Sequence, residues 1–210
     1  MSQHIYDVAA YVAAVSLTIY WVYVILKLIR LARKIGKDPN AMPRERVGQL
    51  MRVLWYPCIF ALLAGLWIFA AKAWSAAPSV LGPMFVPPSW WVVVVVIATV
   101  ICISFTAFTF VCWRKMGRSW RIGIDPGETL ALVSSGPYKL VRHPIYALRM
   151  AINVCAFLMA PSVLVLVTAA IDFILLQIEA RREERYMLST HGNVYANYQR
   201  EVGRFVPRLR

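Results

Sequence analysis

The chain has 210 residues, 60% of them hydrophobic and only 16% charged, with a formal net charge of +13. A soluble domain averages about half apolar and a quarter charged. A mean hydropathy of +0.60 excludes a disordered chain and argues against an ordinary soluble domain. The apolar residues gather in blocks long enough to cross a bilayer, and the charges lie between them. Of the 23 Lys and Arg residues, eight fall between Lys27 and Arg52, seven between Arg114 and Arg149 and seven from Arg181 onward, leaving only Lys72 elsewhere. This is the clustering of a positive-inside membrane protein. It allows contact with anionic lipid headgroups, and no nucleic-acid motif accompanies the charge. Cys58, Cys102, Cys112 and Cys155 lie in or at the end of apolar blocks, without a C-x-x-C pair. They read as buried small side chains, with no metal site expected. Neither a cleavable signal peptide nor a C-terminal lipidation box is expected.

The first apolar block runs from about Val8 to Leu28 and is followed by the basic loop IGKDPNAMPRER. The second covers about Val53 to Ala73, with Trp55, Tyr56 and Trp74 read as bilayer-edge markers. A Pro- and Gly-rich loop, APSVLGPMFVPPS, separates it from a Val-rich third block, Trp90 to Cys112. A basic, Gly-punctuated stretch from Arg114 to His143 is too polar to span. Ile145 to Glu179, broken by Pro161, is too long for one crossing and predicts a helical hairpin, Ile145–Ala160 and Ser162–Arg182. The expected fold is all-α: a polytopic integral membrane protein with five transmembrane helices and the last two in a hairpin. The charge pattern puts the N-terminus outside and the C-terminus in the cytoplasm. Residues 1–112 read as a scaffold of three helices, and 113–210 as the catalytic region with its cytoplasmic tail.

Ionisable residues at membrane depth are costly and are functional candidates by default. Asp172, Glu179 and Glu183 are spaced i, i+7 and i+11, on one stripe of the fifth helix. Tyr146, Arg149 and Asn153, at i, i+3 and i+7, share a face of the fourth. The two faces predict a polar seam near the cytoplasmic boundary. For Asp172 and Asn153 a structural pairing is the simpler reading; for Glu183 and Glu184 the plain alternative is a solvated helix end. Gly136-Pro137 marks a turn, and His143-Pro144 starts the fourth helix, where proline is tolerated. That turn brings Tyr138, His143 and Tyr146 to one end of the helix.

Two strings, LALVSSGPYKLVRHPIYALRM and EERYMLSTHGNVYANYQREVGRFVPRLR, resemble the isoprenylcysteine carboxyl methyltransferase family. The matching residues are Gly136, Tyr138, Arg142, His143, Pro144 and Tyr146, then Glu183, Glu184, Gly192, Tyr195, Tyr198 and Pro207. GRSWRIGID, residues 117–125, looks like the bacterial branch. The resemblance covers about half the chain, from Gly117 onward. It implies methyl transfer from S-adenosyl-L-methionine at the membrane surface, without a Rossmann fold; no G-x-G-x-x-G occurs. Carried over residue by residue, the cofactor-binding set is Leu130, Ala131, Leu132, Val133, Tyr138, His143, Pro144, Ile145, Tyr146 and Glu183. A lipophilic acceptor, of prenylcysteine type, would enter from the bilayer between helices. The resemblance favours a prokaryotic source, and so the inner membrane. In the family an arginine commonly stands four residues before the first paired acid, where this chain has Glu179; Met187 replaces the usual leucine. Either the substrate is not a prenylcysteine carboxylate, or another cation compensates, and Arg149, facing Glu179 across the hairpin, is the candidate.

Glu183, Arg149 and Glu179 are therefore the candidate catalytic residues. A carboxylate acceptor needs no general base, and O-methylation is the favoured reaction; an amine would need one, which Glu179 or Glu183 could supply. No obligatory protein partner is evident in the sequence. The competing readings are an NADPH-dependent sterol-reductase-like enzyme and a non-catalytic membrane transporter or scaffold.

Overall fold

A computed structural model describes residues 2–36, 41, 43, 45–76, 79–120 and 131–208. Five α-helices organise them: α1 (Ser2–Ile35), α2 (Arg46–Ala70), α3 (Trp91–Met116), α4 (Pro144–Met159) and α5 (Val163–Glu201). Short 3-10 turns cover Ala73–Ala76, Ser79–Leu81, Gly117–Ser119 and Gly136–Lys139. The protein is all-α and polytopic. Four helices, α1, α2, α3 and α5, are long and apolar enough to cross a membrane. The fourth in chain order, α4, has 16 residues and so reaches about 24 Å, less than the ~30 Å hydrocarbon core. It nevertheless packs along α3 and α5. Tyr146 in its first turn meets Glu183, and the loop at its far end accepts a hydrogen bond from Met84 N to Pro161 O, 2.8 Å. Ser162 caps α5, its hydroxyl accepting from Val165 N, so the hairpin tip is Ala160–Ser162 as its sequence predicts.

α4 lies against α3 and α5, while α1 joins α2 and α3. Small residues make this close approach possible, as in other membrane bundles. Ala9, Ala13 and Ala14 of α1, Ala98 and Cys102 of α3 and Cys155 and Ala156 of α4 form one buried core with Leu17, Leu66 and Ile152. At Gly65 of α2 a Cβ would come within 2.8 Å of Leu164 on α5. Large side chains point outward instead: Ile19 and Ile25, Phe60, Val100 and Ile103, Phe173 and Ile174 are all exposed. An aliphatic outside around a small-residue inside is what a lipid-facing bundle requires.

Basic residues collect at the end holding the α1–α2 connection, the start of α4 and the second half of α5. Lys72, the cation outside the clusters, sits at the opposite end, paired at 2.7 Å with Asp7. Beyond its apolar half α5 carries the segment expected to be a separate tail. It bends at Gly192, whose φ of 51° and ψ of −128° leave the helical region, and continues to Glu201. The chain then turns back to lie beside residues 141–143.

Candidate active site

The turn before α4 is held from three directions. Gly136 adopts a φ of 63°, and Pro137 starts the 3-10 turn that buries Tyr138. The Tyr198 hydroxyl donates to Tyr138 O at 2.5 Å, and the Tyr138 hydroxyl reaches Met116 Sδ at 3.3 Å. The closing segment adds backbone bonds, Arg142 N to Gly203 O at 2.8 Å and His143 N to Arg204 O at 3.0 Å. Gly203 cannot carry a side chain there, because a Cβ would lie 1.9 Å from Val206 O.

Glu184 locks this arrangement. Its carboxylate is 3% exposed and accepts from Arg142 Nε and Nη2 at 3.0 and 2.8 Å, and from Arg204 Nε and Nη2 at 2.9 and 2.6 Å. Two guanidinium forks on one carboxylate are among the strongest hydrogen-bonded pairs available. Beside it, His143 Nδ1 is 3.4 Å from Glu183 Oε2 and its Nε2 is 3.3 Å from Glu184 Oε1. The Nε2 contact lacks hydrogen-bond alignment, which leaves that nitrogen buried and unpartnered. His143 stacks on Tyr146 with rings 5.4 Å apart and 4° from parallel, and Tyr146 donates to Glu183 Oε1 at 2.6 Å. Burial works against the imidazolium, but the Glu183 and Glu184 carboxylates outweigh it and hold His143 above the usual histidine range.

Tyr146 is also a wall of a pocket of about 550 Å³, counted out to its open mouth. α1 contributes Tyr20 and Trp21, α2 contributes Arg52 and Trp55, and Trp113 and Trp120 close another side. Ile145, Arg149 and Glu179 complete it from the hairpin. Arg149 lies over the rings, 4.4 Å from the Trp21 centroid and 5.1 Å from that of Trp55. Such a cation gains from the ring faces where water is excluded.

Two carboxylates anchor the polar seam behind this pocket. Asp172 accepts from Arg149, from Asn153 Nδ2 at 2.8 Å and from Trp55 Nε1 at 2.5 Å. Glu179 pairs with Arg182 and lies 3.6 Å from Arg52 Nη2. Each acid is 1% exposed, so each depends on these partners to remain buried.

Residues 92–189 match the family model described as the isoprenylcysteine carboxyl methyltransferase (ICMT) family. This region of the chain is similar to that family. It contains α3, α4 and the hairpin side of the pocket, with His143, Tyr146, Glu179, Glu183 and Glu184. Among curated proteins, a nickel-cobalt-cadmium resistance protein NccN of Alcaligenes xylosoxydans xylosoxydans is 30% identical over 47% of this chain and 47% of its own. A cobalt-zinc-cadmium resistance protein CzcN of Cupriavidus metallidurans is 33% identical over 45% of this chain and 44% of its own. A methanethiol S-methyltransferase of a Pseudomonas species is 34% identical over 55% of this chain and 42% of its own. The chain thus spans less than half the length of each of these curated relatives. Among the described residues, no three His, Cys, Asp or Glu side chains converge as a metal ion would need.

The isoprenylcysteine carboxyl methyltransferase string brings His143, Pro144, Ile145, Tyr146 and Glu183 together at the start of α4, with Tyr138 buried in the turn before it. Ala131, Leu132 and Val133 lead into that turn without regular secondary structure, outside the pocket lining. Leu130 and residues 121–125 lie outside the described residues. Two expectations change. Arg149 pairs with Asp172, and the cations on Glu179 are Arg182 and Arg52, because Asp172 lies on the same α5 stripe and meets the α4 face first. Trp55 is no edge marker: it is 5% exposed and hydrogen-bonded to Asp172 inside the bundle.

Sequence reasoning also left out Arg52, Trp21 and Arg182. In the sequence Arg52 and Arg182 carry only the signal of positive-inside charge, and their burial depends on where α2 meets α5. Helical position alone also allows Glu184 to be a solvated end, because its partners, Arg142 and Arg204, lie 42 and 20 residues away.

Proposed function

We propose that this protein is a multi-pass membrane methyltransferase that uses S-adenosyl-L-methionine. The observation that carries the reading is the His143–Tyr146–Glu183 cluster, whose tyrosine forms a wall of the aromatic pocket. The residues fit the cofactor: Glu183 offers a carboxylate, Tyr146 a ring face for a cation, and His143 Nε2 a buried nitrogen still without a hydrogen bond. When bound, S-adenosyl-L-methionine supplies a methyl group on a sulfonium whose charge is lost in transfer, so a dry site favours the reaction. Glu183 and Tyr146 bind and orient the donor, and Glu184 fixes the turn that carries them. The indole and phenol walls exclude water around a lipophilic acceptor entering from the bilayer. Positioning of the two reactants then supplies much of the acceleration.

Five traverses, basic end inward, put the N-terminus outside and the C-terminus in the cytoplasm. The acceptor is a carboxylate or a thiol on an apolar body. The family supports the first, and the name of the Pseudomonas relative supports the second. The test is calorimetric titration of the detergent-solubilised protein with S-adenosylhomocysteine and, separately, NADPH. S-adenosylhomocysteine should bind and NADPH should not. Glu183→Ala and His143→Ala should each weaken it at least about tenfold, the value of one charged hydrogen bond. Unchanged binding in both variants would remove the site, and NADPH binding alone would favour the reductase reading. Tritiated-methyl transfer to prenylcysteine analogues, thiols and membrane lipid extract then identifies the acceptor.

A further inference from the structure

The pocket walls built by α1 and α2 fall outside residues 92–189, so the family match gives them no role. Two hydrogen-bond donors on those walls are buried without partners, Trp21 Nε1 and Arg52 Nε. Unpaired buried donors are uncommon, and each calls for an explanation. The indoles of Trp55, Trp67 and Trp91 show the ordinary outcome, each donating to an oxygen. Arg52 is 4% exposed, and its contact with Glu179 uses Nη2, leaving Nε idle. The charge around the pocket points the same way. Arg52, Arg149 and Arg182 are buried against two buried carboxylates, Asp172 and Glu179. Glu45, the third acid in contact, reaches Arg182 with a side chain that is 43% exposed. These three arginines thus face two fully buried carboxylates, with Glu183 bonded to Tyr146 at the pocket wall, beside two donors that lack an acceptor.

We infer that Arg52 and Trp21 form an anion-binding headgroup site, and that the molecule held there is a compact monoanion on an apolar body. Tyr20, Trp55 and Tyr146 provide ring faces for that body, and the arginines reject a cationic head. The shared chemistry is an anionic acceptor atom, carboxylate or thiolate. Assigning this anion as the methyl acceptor rests on the function proposed above; its binding does not.

The full-length protein in detergent is titrated with benzoate, thiophenolate and neutral benzyl alcohol, and S-adenosylhomocysteine is measured in the same preparations. Both anions should bind about tenfold or more tighter than the alcohol. Trp21→Phe removes one N–H at nearly constant shape, and Arg52→Lys keeps the charge while removing Nε. Each should weaken the anions about fivefold to tenfold and leave the alcohol and S-adenosylhomocysteine unchanged. The tighter of the two anions indicates the acceptor class. Equal binding of anions and alcohol, or anion binding untouched by both variants, would overturn the inference. An intact anion preference without S-adenosylhomocysteine binding would leave this site standing and defeat the methyltransferase reading instead.

Discussion

The two ends of the bundle are built on opposite principles. Where the α2–α3 and α4–α5 loops meet, the interior is alanine, cysteine and aliphatic side chains, and close helix contact does the work. At the basic end the interior is indole rings, arginines and carboxylates, with the chain's own closing segment clamped onto the turn before α4. The first end can be stable with nothing bound. The second carries buried charge whose desolvation is offset only while every partner is present. That contrast makes the basic end the one whose stability depends on charge pairing.

The largest effect should come from breaking the seam between the ends. Asp172→Leu would strand Arg149, and leave Asn153 Nδ2 and Trp55 Nε1 without their acceptor. Removing one member of a buried pair costs about 3–5 kcal/mol. In detergent the variant should melt far below the parent or fail to accumulate. A melting temperature within a few degrees of the parent's would show that the seam contributes little.

Ala13→Leu tests the other principle. Ala13 is fully buried where α1 meets the common core. Overpacking there should cost about 1–3 kcal/mol, seen as a lower melting temperature. S-adenosylhomocysteine affinity in the surviving folded protein should stay the same, because the change lies at the far end. A parallel loss of affinity would show the two ends to be mechanically coupled.

pH separates the ends further. His143 has a raised pKa because burial is outweighed by Glu183 and Glu184. The folded form therefore holds the proton more tightly than the unfolded chain. This contribution is complete below the ordinary value of 6.5 and is lost as pH rises through the higher folded value. Thermal stability should accordingly fall as pH rises above 6.5, and His143→Gln should flatten the slope. A slope unchanged in the variant would assign the pH dependence to other groups.

The sequence exposes these ends unequally. The helices, the hairpin tip at Pro161 and the i, i+7, i+11 acid stripe follow from hydropathy and helical period, which are local. The His143–Tyr146–Glu183 cluster was reached through the family string, whose spacing encodes one turn and one helix face. What stayed hidden depends on contacts between distant segments. Trp55 looks like an interface aromatic until α2 is placed against α5. Arg52 looks like topology-setting charge until Glu179 is found beside it. Arg149 could have met either acid of the stripe, and only the axial register of α4 on α5 selects Asp172.

The smallest predicted effect completes the contrast. Lys72 and Asp7 are 2.7 Å apart at the far end, in a geometry as close as many of the buried pairs. Their surroundings differ: the Lys72 side chain is 52% exposed and that of Asp7 31%. Water already solvates both charges, and ordering a long lysine chain costs entropy that the pair must offset. Exposed pairs of this kind contribute about 0.2–1 kcal/mol. Lys72→Ala should therefore shift the melting temperature only slightly, and added salt should erase most of the difference. A loss comparable to that of Asp172→Leu would mean that the far end depends on charge after all, and that burial does not separate the strong pairs from the weak ones.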